Sequence, residues 1–181
     1  MATAPGDATP YRSTVRLAAT AEAADAVAII REAAAWAAAR GIAVWAAHEI
    51  RTEAFEEAAR EAELVLGFAD AIPAATMLLQ TEDPVYWPNE APASALYLHK
   101  IAIRRAFAGQ AWLSRLVDFA AKSAANRGIP RLRLDTMLRP KMQSMYERHG
   151  FRRLAEEPLV IAGRQMIRME RRLGPPAARG R

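Results

Sequence analysis

A strand, a helix and a second strand follow one another closely in the second half of the chain. Residues 95–103 (ALYLHKIAI) and 131–136 (RLRLDT) have the apolar, partly alternating pattern of strands, and residues 109–127 between them have that of a helix ending before Gly128. A helical crossover makes the two strands parallel and the connection right-handed. The unit predicts a sheet that contains a parallel pair, with ligands expected at the carboxyl ends of its strands.

The remaining segments add helices and strands on both sides of this unit. Before it, the patterns predict a strand, two helices and a hairpin, over residues 15–19, 20–40, 52–62, 63–70 and 72–80. After it, they predict a short helix opened by Pro140 and closed by Gly150, then two strands, over 151–157 and 158–173. The order β-α-α-β-β-β-α-β-α-β-β indicates an α/β (α+β) fold with a mixed sheet.

Length and composition predict one domain of ordinary size. The chain has 181 residues, of which 52% are apolar and 25% are charged, as in globular proteins. We expect a single domain over residues 13–173, with flexible ends at 1–12 and 174–181. No apolar run approaches the length of a membrane span and no secretory signal is recognisable, so a cytoplasmic protein without membrane contact is expected.

The residue types present exclude some kinds of chemistry. Cysteine is absent, which excludes disulfides, thiolate metal sites and a cysteine nucleophile. The three histidines are far apart in the sequence, so no metal site is predicted. The net charge of +5 comes from scattered arginines, which favours a solvated surface and no nucleic-acid partner, although association with nucleic acid through this surface is an alternative.

The stretch FAGQAWLSRL, residues 107–116, lies where the first strand of the unit gives way to the helix. A helix N-terminus offers free N–H groups and a positive dipole end, and Arg104 and Arg105 add charge. These features suit a pyrophosphate, but phosphate-binding loops are usually rich in glycine and this one contains only Gly109. An ordinary helix start explains the stretch equally well.

The segments LHKIAIRRAFAGQAWLSRLVDFA, RLRLDT and RPKMQSMYERHGFRRL together resemble the GNAT (GCN5-related N-acetyltransferase) family. The signature Tyr146-Glu147-x-x-Gly150-Phe151 is intact. The resemblance implies an acyl-CoA N-acyltransferase fold with a mixed, mostly antiparallel sheet, a central parallel βαβ unit and flanking helices. It also implies acetyl transfer from acetyl-CoA to a primary amine of a small molecule or peptide by direct attack, in a monomer or homodimer.

The resemblance also implies a set of cofactor-binding residues. Acetyl-CoA would lie between the parallel strands, with pantetheine beside residues 101–103 and the pyrophosphate on residues 108–113. The implied contacts are Ile101, Ala102, Ile103, Arg104, Ala108, Gly109, Gln110, Ala111, Trp112, Leu113, Ser114, Arg139, Met142 and Tyr146.

The loop departs from the family pattern at three positions. Family glycines fall on Ala111 and Leu113, and a Gln or Arg falls on Ala108. Leu113 either packs inward or points toward the diphosphate, and the second case would weaken coenzyme A binding. A degenerate module that binds coenzyme A weakly or not at all, and acts in binding or regulation, is therefore the alternative function.

Two side chains are candidate catalytic residues. By its family position, Tyr146 would donate a proton to the departing thiolate, and otherwise it only packs the short helix. Simple alternation places Tyr97, His99, Ile101 and Ile103 on one strand face, where His99 is either the base or a core histidine. The candidate acceptor-binding residues are Trp45, His48, Glu49, Trp87, Tyr97 and His99.

Overall fold

The computed structural model describes residues 11–174, which form one eight-stranded sheet with helices on both faces. The strands are β1 Ser13–Leu17, β2 Leu64–Ala69, β3 Ile72–Gln80, β4 Leu96–Ile103, β5 Arg131–Met137, β6 Arg152–Arg153, β7 Leu159–Ile161 and β8 Arg164–Arg172. The helices are α1 Ala23–Ala38, α2 Thr52–Arg60, α3 Trp112–Asn126 and α4 Pro140–Glu147. Short 3₁₀ turns cover Thr20–Glu22, Ala47–Glu49 and Arg105–Phe107.

The sheet has the order β1-β2-β3-β4-β5-β8-β6, and β7 also pairs with β8. Every pair is antiparallel except β4 with β5, which α3 connects as a parallel crossover. The predicted mixed, mostly antiparallel sheet with a central parallel unit is confirmed.

The parallel pair is short because its strands separate. Only Leu96 with Leu132 and Tyr97 with Arg133 are in register, although both strands continue beyond these residues. On its other side β4 contains a bulge: Thr76 pairs with Ala102 and Leu78 with His99, so that two residues of β4 oppose one of β3. Lys100 in the bulge has φ 50°, a conformation that L-residues seldom adopt. The bulge bends β4 away from β5.

The bulge makes one prediction wrong. Ile101 and Ile103 do not share the face of Tyr97 and His99, because the extra residue reverses the alternation. Ile101 and Ile103 pack into the core beneath α3, whereas Ala102 packs into the core beneath α1.

Two apolar cores lie on the two faces of the sheet. On one face, α1 and α2 contribute Ile29, Ile30 and Phe55, which pack on Leu64 and Leu66 of β2. On the other face, α3 and α4 contribute to a second core, which includes Val65 of β2. Because β2 is buried on both sides, its sequence is continuously apolar rather than alternating.

The C-terminal end contains one more strand than the sequence predicted. Residues 158–173 form a hairpin of β7 and β8, not a single strand. Its turn residues Ala162 and Gly163 have φ 49° and 71°, which is the geometry of a two-residue turn with both residues left-handed. The Ala-Gly pair was the sequence signal for this turn.

Tyr11 and Arg12, which precede the predicted domain boundary at residue 13, contact the rest of the described residues. The Arg12 N–H donates to the Asp70 carboxylate at 3.0 Å, and the Tyr11 ring stacks on Trp112. The rest of the predicted flexible ends, residues 1–10 and 175–181, lies outside the described residues. Within residues 11–174, no helix is both long and apolar enough to cross a bilayer.

Substitution of Gly67 is expected to expose how tightly α3 packs on β2. A Cβ at Gly67 would lie 2.7 Å from Trp112 Cζ3, so the buried indole would have to move. Gly67→Ala should lower the free energy of unfolding by about 1–3 kcal/mol, the usual effect of overpacking. Urea denaturation followed by tryptophan fluorescence measures this, with Gly174→Ala as the control because no atom lies within 4 Å of its added Cβ. Equal stability of the two variants would contradict the close approach.

Candidate active site

A cleft of about 700 Å³ opens where β4 and β5 separate. Its walls come from β4 residues 98–103, β5 residues 135–137, α1, α4 and the loop before β4. Residues from both helix layers line it, among them Ala33 of α1 and Tyr146 of α4. The cleft therefore passes through the sheet and is open to ligands from both faces.

Three ionisable side chains meet across the gap between the strands. His99 of β4 has its Nδ1 3.3 Å from Asp135 Oδ1 of β5, and its Nε2 3.4 Å from Asp83 Oδ2. The side chains of Asp135 and His99 are 13% and 17% exposed, whereas that of Asp83 is 5% exposed. All three side chains line the cleft, and Asp83 is the most buried of them.

The loop before β4 fixes the position of Asp83. Its Oδ1 accepts N–H groups from Val85 at 3.2 Å and Tyr86 at 3.0 Å, whereas its Oδ2 is buried and has no hydrogen-bond partner among the described residues. Burial is the main reason that the pKa of Asp83 is raised, and nearby His99 opposes this effect. Burial therefore favours the neutral form of the Asp83 carboxyl beside the imidazole.

The same group has the geometry of a possible cation site. Each of Asp83, His99 and Asp135 brings a ligand atom to within 4.8 Å of the other two. Spacing in the sequence did not indicate this arrangement, because the residues lie on a loop and two different strands. The predicted absence of a metal stays a prediction.

Tyr146 reaches the cleft from α4. Its ring packs edge-on against Phe151 with the centroids 6.2 Å apart, and its hydroxyl has no hydrogen-bond partner within residues 11–174. Burial first, and then the negative charge of Asp135, raises the pKa of Tyr146 above its ordinary value. The phenol therefore stays protonated and can act as a proton donor.

The connection from β4 to α3 is held by contacts from two directions. Glu32 of α1 accepts the Arg105 N–H at 2.7 Å and pairs with the Arg104 guanidinium at 3.0 Å. From the other side, the Tyr11 hydroxyl donates to Gln110 Oε1 at 2.6 Å and accepts from Trp112 Nε1 at 3.1 Å. These bonds position the loop so that the first turn of α3 presents its N–H groups at the surface.

Ala111 and Leu113 occupy positions where a phosphate-binding loop usually has glycine. Ala111 has φ 58°, so it adopts the left-handed conformation that glycine adopts without steric cost. Leu113 is 8% exposed and packs into the core beneath α3. The open question about Leu113 is thereby answered, because its side chain points inward and leaves the loop surface clear.

Residues 43–151 match the family model described as the acetyltransferase (GNAT) family. The chain belongs to this family. No curated protein matches the chain. The GNAT family and the GNAT fold predicted from the sequence are both confirmed, and membership supports acyl-CoA-dependent N-acetyltransferase activity in general, with acetyl-CoA as the cosubstrate.

Solved GNAT structures share the fold at low identity. A GNAT acetyltransferase from Listeria monocytogenes is 22% identical with a TM-score of 0.71, over 89% of this chain and 95% of that one. The PaiA N-acetyltransferase from Thermoplasma acidophilum, solved with coenzyme A, is 15% identical with a TM-score of 0.68, over 90% and 99%. The ribosomal-protein-S18-alanine N-acetyltransferase from Escherichia coli is 15% identical with a TM-score of 0.65, over 94% and 99%.

The structure separates the GNAT cofactor-binding candidates into two groups. Six of the predicted residues line the cleft, namely Ile101, Ala102, Ile103, Leu113, Met142 and Tyr146. The others do not line it: Arg104, Ala108, Gly109, Gln110, Ala111, Trp112, Ser114 and Arg139. Of these, Arg104 is engaged by Glu32 and by the Pro73 carbonyl, and Trp112 is buried under Tyr11. For Trp112, only the backbone is placed to meet a ligand at the loop surface.

Three of the predicted acceptor-binding residues line the cleft and three do not. Trp45, Glu49 and His99 line it. His48 is exposed outside it, because the 3₁₀ turn at residues 47–49 directs only Glu49 inward. Trp87 and Tyr97 are buried against each other, with ring centroids 5.1 Å apart, and against Arg133, so they do not line the cleft. Their role as acceptor contacts stays a prediction.

Sequence reasoning did not identify two cations and two carboxylates that line the cleft. Lys100 and Arg164 line the cleft, as do Asp83, Asp135 and Tyr86. Regular alternation had placed Lys100 on the opposite strand face from His99, and no sequence signal located the bulge that turns it toward the cleft. Arg164 follows the Ala-Gly turn, and that pair was the only clue to its position.

Because Leu113 packs inward, replacing it with glycine is not expected to improve the loop. Leu113→Gly should lower the free energy of unfolding by about 3–5 kcal/mol, from the lost apolar burial and from glycine within a helix. Acetyl-CoA affinity of the remaining folded protein should not rise. Thermal denaturation and calorimetric titration measure the two effects, with Ala111→Gly as the partner variant, since glycine relieves the left-handed strain there. A stable Leu113→Gly protein with tighter binding would contradict the inward orientation.

Proposed function

We propose that this protein transfers the acetyl group of acetyl-CoA to a primary amine of a small molecule or peptide by direct attack. One observation supports the proposal above the others. The separation of β4 from β5 creates a cleft through the sheet, and this cleft brings Asp83, His99 and Asp135 together with Tyr146. A proton acceptor and a proton donor thus share one cavity large enough for the reacting groups.

Acetyl-CoA would enter from the α3 and α4 side. Beyond Tyr97 the backbone groups of β4 that face β5 are not paired with it, so residues 101–103 can hydrogen-bond the pantetheine amides. The N–H groups of Gly109 and of residues 111–113 at the start of α3 would receive the pyrophosphate, whereas the Gln110 N–H already donates to the Phe107 carbonyl. The amine would enter from the α1 and α2 side, where Trp45 and Tyr86 line the cleft.

We assign His99 the role of the base that accepts a proton from the attacking amine. The nitrogen lone pair attacks the thioester carbon as the amine loses a proton to the group formed by Asp83, His99 and Asp135. A carboxylate oxygen lies near each imidazole nitrogen, at 3.3 and 3.4 Å, so a proton taken up at either nitrogen lies next to an acceptor oxygen. Asp83, which lies on the Nε2 side of His99, acts as a positioning residue that holds the ring in place.

We assign Tyr146 the role of the general acid that protonates the departing thiolate. As the C–N bond forms and the C–S bond breaks, the departing thiolate takes a proton from the phenol and leaves as coenzyme A. The phenol then regains a proton, and the amine proton held by His99 passes to solvent. The chain contains no cysteine, consistent with direct transfer rather than an acyl-cysteine intermediate.

Removal of the Tyr146 hydroxyl is expected to separate catalysis from binding. Tyr146→Phe should lower kcat by about 10²–10⁴-fold, the range typical of a lost general acid, with little change in acetyl-CoA affinity. Turnover and calorimetric titration are measured on the same protein. Tyr97→Phe is the matched control, because its hydroxyl bonds Arg133 away from the cleft. Undetectable acetyl-CoA binding by the unmodified protein would favour the degenerate-module alternative.

The pH dependence of this variant tests the protonation state of the phenol. Since the pKa of Tyr146 lies above its ordinary value of about 10, the donor keeps its proton as the pH rises to 10. The ratio of kcat for the unmodified enzyme to kcat for Tyr146→Phe should therefore stay constant from pH 7 to about 10. A ratio that falls toward one between about pH 8 and 10 would show that the donor loses its proton earlier.

Replacement of His99 tests the base. His99→Gln should lower kcat by about 10²–10⁴-fold, whereas His48→Gln should leave it unchanged because His48 is exposed outside the cleft. Steady-state kinetics with the same amine compare the two. Equal activities for the two variants would remove His99 from the mechanism and leave the carboxylates as the base.

A further inference from the structure

The acceptor end of the cleft contains both signs of charge in close proximity. The carboxylates of Asp83 and Asp135 flank His99, and the cations of Lys100 and Arg164 line the same cavity. Asp135 and Arg164 are each close enough to influence the charge of Lys100, and both also influence the phenol of Tyr86. The two signs are therefore neighbours within one region of the cleft.

The positive charge of Lys100 is only weakly compensated. Its Nζ lies 3.8 Å from Glu49 Oε1 and 5.7 Å from the centre of the Trp45 ring. Glu49 itself is 36% exposed, and its Oε2 accepts the Ala46 N–H. Since the Lys100 side chain is only 19% exposed, its charge has lost most of its water without gaining a close carboxylate.

Arg164 has no compensating carboxylate among the described residues. Its guanidinium donates to the backbone carbonyls of Ala43 and Val44, which ties the β7–β8 turn to the loop after α1. No Asp or Glu oxygen of residues 11–174 lies within 4.0 Å of its nitrogens. Carbonyl groups satisfy its hydrogen bonds but leave a full positive charge beside Lys100.

We infer that the acceptor is a small zwitterion, an amino acid whose amine meets the Asp135–His99 side of the cleft and whose carboxylate meets Lys100 and Arg164. This inference rests on the proposed acetyltransferase function. A bound carboxylate supplies the anion that Arg164 lacks among the described residues and that Lys100 has only at 3.8 Å, and the ammonium group approaches Asp135 before it loses its proton. Trp45 and Tyr86 lie beside this region and suit an apolar or aromatic side chain.

The two cations can be distinguished from a coenzyme A site by their place in the fold. Arg164 begins β8 and Lys100 neighbours Trp45 and Glu49, on the side of the cleft formed by the loop between α1 and α2. The first turn of α3, where the pyrophosphate is proposed to bind, follows the C-terminal end of β4 and packs on the opposite face of the sheet from Trp45. Loss of either cation should therefore change the use of the acceptor and not the KM for acetyl-CoA.

The test compares acceptors that differ only in the carboxylate. kcat/KM is measured with L-phenylalanine, L-leucine and L-glutamate, with the amides of their α-carboxyl groups, and with phenethylamine and isopentylamine. The unmodified enzyme is expected to prefer at least one acid over its amide by about tenfold or more, the effect of a carboxylate bound by partly desolvated cations. Lys100→Met and Arg164→Gln should each reduce this preference toward one, mainly through KM. In the second variant the glutamine amide retains an N–H donor for the backbone carbonyls, which limits structural damage.

The controls separate the failure of this inference from the failure of the proposed function. Lys122→Met, on the exposed side of α3, should leave the preference unchanged. If amides or plain amines are acetylated as efficiently as the acids, the inference of a zwitterionic acceptor is overturned, whereas the proposed acetyltransferase function is supported. Binding of none of the acids, measured by calorimetry in the presence of coenzyme A, would also overturn it. Absence of acetyl-CoA binding would instead reject the proposed function.

Discussion

The parallel strands β4 and β5 pair over only two residues each, and the rest of the site depends on this short pairing. Two residue pairs hold the strands together, and beyond them the bulge at Lys100 bends β4 away. The same bulge has two further effects: it reverses which side chains of β4 face α1, and it turns Lys100 into the cleft. A residue with φ 50° is unfavourable for an L-amino acid, and it is maintained because strands on both sides and helices on both faces fix the backbone.

The loop before α3 leads into a regular helix although it lacks most of the glycines of its family. Ala111 accepts the left-handed conformation at a modest cost, and Leu113 has joined the core. Trp112 is buried against Gly67, and Tyr11 covers it by stacking 6.0 Å away and bonding Gln110. Packing and hydrogen bonds from distant segments thus supply the order that glycine-specific turns supply elsewhere, which makes the N-terminal residues Tyr11–Ser13 part of the loop's support.

The fold could be predicted from the sequence because its signals are local. Hydrophobic periodicity, Pro140 and the motif at Tyr146–Phe151 locate most elements and the family. The details of the site depend on effects that no local pattern encodes. The bulge at Lys100 leaves the strand pattern unchanged, so alternation assigned Ile101 to the wrong face. The contacts of His99 with Asp83 and Asp135 join a loop and two strands. Residue type alone also does not distinguish Trp45, which lines the cleft, from Trp87, which is buried away from it.

Burial acts in one direction on the ionisable groups of the cleft. It raises the pKa of Asp83 and of Tyr146 and lowers that of Lys100, so each group is displaced toward its neutral form. In the proposed reaction, a bound amine would experience the same loss of water, and its ammonium form would be destabilised as the lysine is. Nucleophilic attack requires the neutral amine, so desolvation would favour the reactive form while Asp135 and His99, the proposed proton acceptors, lie beside it. The site therefore needs to retain enough negative charge to attract an ammonium group, and enough burial to deprotonate it.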